Sequence, residues 1–491
     1  MAKKALFLVI ALLACLLPNA SYAQQTAPDQ QLLAQIDEYV ARQFQQNDIT
    51  GGAYAIVSNG EVIAANGIGV ADLQTREPVT PQTVYSTASV TKAFTAAAIL
   101  HLYEQGAIEL DAPVQRYIPW FTYKDAERSA KVTIRHLLTH SPGIERFTAD
   151  GSIFQNEKAN RNSLENGIRA LSTVDMVAEP GTQGAYCNTC YNVLGLVIEQ
   201  VTQTDYEQYM HKALFQPLGL EHTSFDPSNA ASEYNWVFGR RNKSAPNNHI
   251  FGESQNPEGG IYSNVLDLST FLSAMMEDDE QTYLSHETLR MSHKGEIDTG
   301  SPDTKYALSG FEETTLYGTR ILYKAGDGIG SSAMIVMLPE QKIGISILAG
   351  DSVPEFAEPL VHGIVALLLG ETPQEVQVGT TFWKLVGLIS LGFTIIGLIM
   401  LAMLVRSIVK MRNGAKPTRR WWLICRIVLC TIIFLPLSYL MISVHPTQIG
   451  FYGYPYDLAC GFLALIVPSL LWVVYSIMLL FVKPSKRAGA H

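Results

Sequence analysis

The run Ser89-Val90-Thr91-Lys92, continuing without a breaker into Ala93-Phe94-Thr95-Ala96-Ala97-Ala98-Ile99-Leu100, is the strongest chemical signal in the chain. Residues three apart on a helix share a face, so a serine at a helix start and a lysine one turn later bring a hydroxyl and an amine together. The helix N-terminus adds partial positive charge, which favours a developing anion. Serine is a weak nucleophile until a base takes its proton, and a lysine amine removed from water can be that base. The pairing therefore offers nucleophilic catalysis. The same letters recur at Ser407-Ile408-Val409-Lys410, at the end of a long apolar stretch. Compartment and companion residues must separate the two.

The elements around the first motif have a clear order. Gly52 to Val57, the turn Ser58-Asn59-Gly60 and Glu61 to Ala65 read as a hairpin, and Ser331 to Leu338, Pro339 to Lys342 and Ile343 to Ala349 read as another. Helical patterns cover Gln31 to Gln45, Lys92 to Gln105, Tyr191 to Thr202, Val265 to Met276 and Glu358 to Leu369. Strands from both ends of this region with helices between them imply one antiparallel sheet covered by helices, an α/β arrangement.

The two ends carry addresses. Lys3 and Lys4, the apolar run Ala5 to Leu17 and the small-residue site Ser21-Tyr22-Ala23 form the layout of a secretory signal peptide, expected over residues 1–23. Three apolar stretches, about 385–405, 427–444 and 458–482, are each near the length needed to cross a bilayer. Arg406, Lys410, Arg412, Lys416, Arg419 and Arg420 between the first two, and Lys483, Lys486 and Arg487 after the third, place those segments in the cytoplasm. The expected divisions are a leader, an extracytoplasmic catalytic part over 24–379, and a membrane part over 380–491, with Glu371 to Gly379 as the tether. This sets the catalytic part on the periplasmic or extracellular side of the cytoplasmic membrane.

From Gln24 to Trp383 the sequence holds 22 Lys or Arg against 44 Asp or Glu. Such an excess of negative charge repels nucleic acid and favours neutral or cationic substrates. Cys187 and Cys190 are the only cysteines in that stretch, so its core must come from packing. No His, Cys or carboxylate cluster points to a metal, no Gly-rich phosphate loop points to a nucleotide, and no cofactor is expected. One helix would suffice as an anchor. Three helices leave room for lateral contact with a membrane transporter, but their interiors, with these boundaries, lack the ionisable residues of a translocation path.

Three further segments accompany Ser89-x-x-Lys92: Pro180-Gly181-Thr182 with Tyr186-Cys187-Asn188 and Tyr191, Lys324-Ala325-Gly326 before a buried strand, and Thr133 to Gly143 with His140. Together they resemble the serine β-lactamase and penicillin-binding-protein family, in its class C and serine D-peptidase branch, over about Gln31 to Leu369. The three helices behind the domain resemble membrane-anchored periplasmic peptidases that remove an acyl-D-amino-acid cap from nonribosomal peptide prodrugs. The resemblance implies that Ser89 attacks a carbonyl to form an acyl-enzyme, with Lys92 and Tyr186 sharing the proton transfers. It implies that Asn188 holds the substrate amide and orients Lys92, and that Lys324 faces a substrate carboxylate or stabilises Tyr186. The backbone N–H groups of Ser89 and Asp327, the latter just past Gly326, would form the oxyanion hole. His140 is expected to be a packing residue, and Tyr262-Ser263-Asn264 and His293-Lys294-Gly295 are set aside as look-alikes of the second and third elements. Cys187 and Cys190 depart from the family pattern, and either a disulfide or two small free side chains would fit there. Cell-wall D,D-peptidase or β-lactamase activity, and a slowly acylated sensor, use the same residues.

Overall fold

The tight turn Asn59-Gly60, both residues with positive φ, joins β1 (Gly51–Ser58) to β2 (Glu61–Gly69), the backbone geometry that matches the twist of a two-residue hairpin. The computed structural model describes residues 29–145, 163–237, 240–244, 253–276, 283–353, 356–376, 380–413, 419–443 and 456–481. The expected leader, residues 445–455 of the connection expected from His445 to Asp457, and the basic residues Lys416, Lys483, Lys486 and Arg487 lie outside these residues. Two short strands, β3 (Tyr85–Ser86) and β6 (Tyr262–Ser263), pair with each other, and β4 (Tyr234–Val237) pairs with β5 (Arg240–Lys243). The main sheet continues with β7 (Gly295–Asp298), β8 (Lys305–Ala307), β9 (Glu312–Leu316), β10 (Thr319–Asp327), β11 (Ser332–Leu338) and β12 (Ile343–Ala349). Its eight antiparallel strands run β2-β1-β12-β11-β10-β9-β8-β7. As expected, the two ends of the domain meet within this sheet, where β1 and β12, its second and third strands, pair with Gly52 opposite Ala349.

Both faces of the central strands are buried, which is why they read as continuous apolar runs. Successive side chains of a strand point to opposite faces. Ala53, Ala55 and Val57 of β1 thus join Ala333, Ile335 and Met337 of β11 in one core, beneath helices α2 (Thr91–Glu104), α3 (Asn188–Thr202) and α4 (Val265–Ala274). Tyr54 and Ile56 join Met334, Val336 and Leu338 in the other, beneath α1 (Gln30–Gln46) and α5 (Ala357–Leu368). Strands β7 to β9 extend the sheet beyond the expected hairpins. Their half-exposed sequences, such as Glu312-Glu313-Thr314-Thr315-Leu316, lack the apolar run of a buried strand.

The described part of the expected tether, residues 371–376, is docked against the first helix. Tyr39 donates to the Gln374 carbonyl at 2.8 Å, Val376 N–H donates to Gln43 Oε1 at 2.9 Å, and Asn47 donates to the Val376 carbonyl at 3.1 Å. Three long apolar helices follow: α6 (Thr380–Arg412), α7 (Arg420–Ser443) and α8 (Tyr456–Phe481). Their candidate membrane spans are Lys384–Arg412, Arg420–Leu440 and Leu458–Phe481. The second span begins at Arg420 rather than near 427, because the mixed polar and apolar run Arg420 to Arg426 continues the helix although its hydropathy is low. That corrects the expectation of interiors free of ionisable residues: Arg426 lies within the span, 4.2 Å from the centroid of the Trp472 ring on α8. At the domain end of α6, Lys384 donates to Asp48 at 2.6 Å and lies 4.8 Å from the centroid of the Trp236 ring on β4.

Candidate active site

Ser89 sits in a single 3-10 turn, Ala88–Val90, that leads directly into α2. The residue before it, Ala88, is held at φ 44°, a left-handed conformation that L residues adopt at some cost and that often marks functional positions. Lys92 lies one turn on, fully buried, and its Nζ donates to Ser89 Oγ at 3.0 Å and to the Glu258 carbonyl at 2.9 Å. The helix geometry anticipated from the spacing is present.

Tyr186 approaches from the segment ahead of α3, and its hydroxyl donates to Ser89 Oγ at 2.9 Å. The disulfide Cys187–Cys190 closes the first turn of α3, where Cys187 is the N-cap and its Sγ accepts from Cys190 N–H at 3.0 Å. This decides between the two fits left open for the pair. Cys187 N–H donates to His140 Nδ1 at 3.0 Å. The His140 ring packs against those of Tyr186, Tyr191 and Tyr306, with centroids 4.7, 5.1 and 4.7 Å away. His140 thus occupies the packing and hydrogen-bonding position expected of it. Asn188 is the first residue of α3 and is buried.

Strand β10 forms the opposite wall. Gly326 runs so close to the start of α2 that a Cβ there would fall 2.2 Å from the Thr87 carbonyl oxygen and 3.0 Å from Ser89 N, so no larger residue fits. This close approach brings the strand carrying Lys324 and Asp327 against the backbone of Ser89. Lys324 is buried, and its Nζ lies 4.9 Å from the Tyr186 ring centroid and 3.4 Å from Glu312 Oε1. Asp327, at the end of the strand, is exposed. The two look-alikes take other positions: Tyr262 and Ser263 form the buried strand β6 and Asn264 caps α4, while His293 and Lys294 lie between the helix His286–Ser292 and β7, which begins at Gly295.

The charges here are unevenly solvated. Loss of water pushes the Tyr186 hydroxyl well above its usual pKa; the hydrogen bond to Ser89 acts against this, and the Glu258 and Glu312 carboxylates reinforce it. Tyr186 is therefore a phenol at neutral pH, although the Lys92 and Lys324 amines lie 5.1 and 4.9 Å from its ring centroid. Burial lowers the pKa of Lys324, with Glu312 acting in the opposite direction. Sequence reading missed Glu258 and Glu312. The charged residue wedged between Pro257 and Gly259-Gly260 was a signal for the first; Glu312 lies in a strand that carried none. Among the described residues no group of three or more His, Cys, Asp or Glu could hold a metal.

A serine hydroxyl contacted by a buried lysine and a tyrosine, on an antiparallel sheet flanked by helices, defines a hydrolytic enzyme of the β-lactamase and penicillin-binding-protein type. The Beta-lactamase family model matches residues 35–368, and the chain belongs to that family. Protein flp of Staphylococcus aureus is 25% identical over 466 residues, covering 92% of each chain. A match that long runs beyond the sheet domain into the apolar helices. Esterase EstB of Burkholderia gladioli is 29% identical over 203 residues, 40% of this chain and 52% of the esterase. Among solved structures, the octameric penicillin-binding protein homologue from Pyrococcus abyssi superposes with a TM-score of 0.62 at 28% identity, over 70% of this chain and 79% of that one.

Proposed function

We propose that the protein is a membrane-anchored peptidase that works through an acyl-enzyme on Ser89, with its catalytic domain on the periplasmic or extracellular side, cleaving the amide of an acyl-D-amino-acid peptide such as a nonribosomal peptide prodrug. The observation that carries the catalytic part is the convergence on Ser89 Oγ of Lys92 Nζ at 3.0 Å and the Tyr186 hydroxyl at 2.9 Å. In that resting arrangement both neighbours donate, so one must first lack a proton before it can accept one from the serine. Tyr186, held as a phenol by loss of water, keeps its proton in the resting site and becomes a strong base once it has given that proton up. Lys92 then takes the Ser89 proton as the hydroxyl attacks the carbonyl. Tyr186 protonates the leaving amine and, having lost its proton, draws one from the water that attacks the acyl group, while Lys92 returns its proton to the Ser89 oxygen as that bond breaks. The N–H groups of Ser89 and Asp327 would hold the oxyanion, and Asn188 the substrate amide.

Glu312 supports an internal amide as the substrate. A D,D-carboxypeptidase or β-lactamase substrate presents a carboxylate to the lysine of the third motif, but here Lys324 already has a carboxylate at 3.4 Å. The acidic exported region adds a preference for neutral or cationic peptides. The test is hydrolysis by the full-length protein of three substrates side by side: an acyl-D-amino-acid peptide, a D-Ala-D-Ala peptide and a chromogenic cephalosporin. The acyl-D-amino-acid peptide should have the highest kcat/KM. A higher value for either of the others would move the function to cell-wall D,D-peptidase or β-lactamase, and covalent labelling with no turnover of any of them would make it a sensor.

A further inference from the structure

Lys92 is fully buried, and its amine meets the side chain of Glu258 as well as the Glu258 carbonyl. Glu258 Oε2 lies 3.7 Å from Lys92 Nζ, with the carboxylate side chain 10% exposed. The other oxygen, Oε1, accepts from Asn192 Nδ2 of α3 at 3.3 Å. The short helix Asn256–Gly259 that presents this carboxylate is itself fixed: Thr95 of α2 donates to the Pro257 carbonyl at 2.7 Å, and Gly195 of α3 leaves room for the Pro257 ring. The same amine faces the rings of Tyr186 and Tyr191, with centroids at 5.1 and 5.8 Å, and beyond Tyr186 lies the Lys324–Glu312 pair. Glu258 is thus a carboxylate built into the wall behind the amine, held by three elements.

We propose that Glu258 is a positioning residue of the hydrolase, whose carboxylate is the counter-charge of Lys92 and sets the pH at which that amine is free to accept the Ser89 proton. The proposal rests on the reading of Ser89 and Lys92 given above. An opposite charge this close, with both groups largely out of water, favours the protonated amine. No atom of Glu258 needs to touch substrate. The carboxylate keeps the amine in place and protonated at rest, and activity rises only as the amine loses its proton. In acid the site is closed by the same pair that aligns it.

The test is the pH dependence of Ser89 labelling by a fluorophosphonate and of kcat/KM, measured on the full-length protein and on Glu258→Gln. The variant keeps the shape of the side chain and removes the charge. Its acid limb should move to lower pH by about one unit or more, so that it outperforms the native enzyme in acid relative to each protein's own plateau. Glu258→Asp, which restores the charge, should return the limb towards the native position. Asn192→Ala gives a second reading should Glu258→Gln not fold: the carboxylate, no longer sharing its charge with the amide, holds the Lys92 ammonium more firmly, and the limb moves the other way, to higher pH, by a smaller step. A folded Glu258→Gln whose limb superimposes on the native one overturns the proposal, as does an unmoved limb in Asn192→Ala if only that variant folds. Ser89→Ala assayed alongside separates the two failures: if it still hydrolyses substrate the catalytic reading itself is wrong, and if it is inert while the limbs coincide, only the role of Glu258 is.

Discussion

The chain spells Ser-x-x-Lys twice, and in both places a tyrosine hydroxyl stands near the serine. Tyr186 donates to Ser89 at 2.9 Å; Ser407 donates to Tyr475 at 3.3 Å. Everything else differs. Ser89 precedes the first turn of α2, where backbone N–H groups have no partner within the helix, whereas Ser407 lies inside α6, where the ladder already uses them. Lys92 is fully buried and faces the Glu258 carboxylate; Lys410 is exposed. Gly326 brings a strand edge across Ser89, and none of the described strands approaches Ser407 in that way. The comparison teaches that the spacing supplies only the contact between hydroxyl and amine. Reactivity needs the helix start, the dry lysine and the opposing strand.

The largest effects should come from the two letters of the first motif. Ser89→Ala should remove both fluorophosphonate labelling and turnover, and Lys92→Ala should nearly remove labelling, because the serine then lacks a proton acceptor. Labelling is read by mass on the intact protein and turnover by product release. Wild-type hydrolysis by Ser89→Ala, in protein free of host hydrolases, would reduce the first motif to the status of the second.

Tyr186→Phe comes next. It leaves the ring against His140 and removes only the oxygen bonded to Ser89. Loss of a general acid-base group lowers turnover by roughly 10²- to 10⁴-fold. With Lys92 still present, acyl-enzyme should build up while its hydrolysis slows, which a stopped-flow or intact-mass time course would resolve. If acylation and hydrolysis stay at native rates, the two tyrosines of the comparison are equally incidental.

How much of this was legible in the letters follows from the same contrast. Buried strands such as β1, β11 and β12 and long helices such as α2 announce themselves through period and apolar runs, and the start of α2 at Thr91 fell where the motif required it. Strands β7 to β9 were silent because they are short, polar and half-exposed, and Glu312 went unseen with them. Glu258 had a local signal in its place between Pro257 and Gly259-Gly260, but its partner Lys92 lies 166 positions away, and no local pattern records a contact of that kind. The Cys187–Cys190 spacing permitted a bridge without requiring one. The second long apolar helix starts at Arg420, seven residues before the apolar stretch read near 427, because hydropathy marks the apolar run and not the whole helix.

Reducing the Cys187–Cys190 bridge should have a smaller effect, less than about tenfold in kcat/KM, or about 1.4 kcal/mol of barrier. The bridge closes the turn between Tyr186 and the body of α3, but it is not the only tie: Cys187 N–H also bonds to His140 Nδ1 at 3.0 Å. The turn loosens without losing its anchor. Activity measured before and after a membrane-permeant reductant, with thiol labelling to verify that the bridge opened, checks this. Complete loss, restored by an oxidant, would make the pair a switch and tie the first motif to redox conditions.

The smallest effect should be that of Ser407→Ala, and it sharpens the comparison most because it changes the same letter. The substitution removes one hydroxyl and its contact with Tyr475 on α8. A helix interior tolerates alanine well, and an interhelical hydrogen bond in a membrane is worth roughly 0.6 kcal/mol, so neither turnover nor Ser89 labelling should change. The proposed topology supplies an independent reason for silence: three crossings with the basic segments inside would put Lys410 on the cytoplasmic face, opposite the domain that holds Ser89. A reporter fused after Ala488 should then be active only in the cytoplasm, and one placed within 445–455 only outside. A C-terminal reporter active outside would require an even number of crossings and could bring the two motifs to the same side. A loss of turnover in Ser407→Ala, with Ser89 still labelled at the native rate, would show instead that the membrane helices take part in a step after acylation.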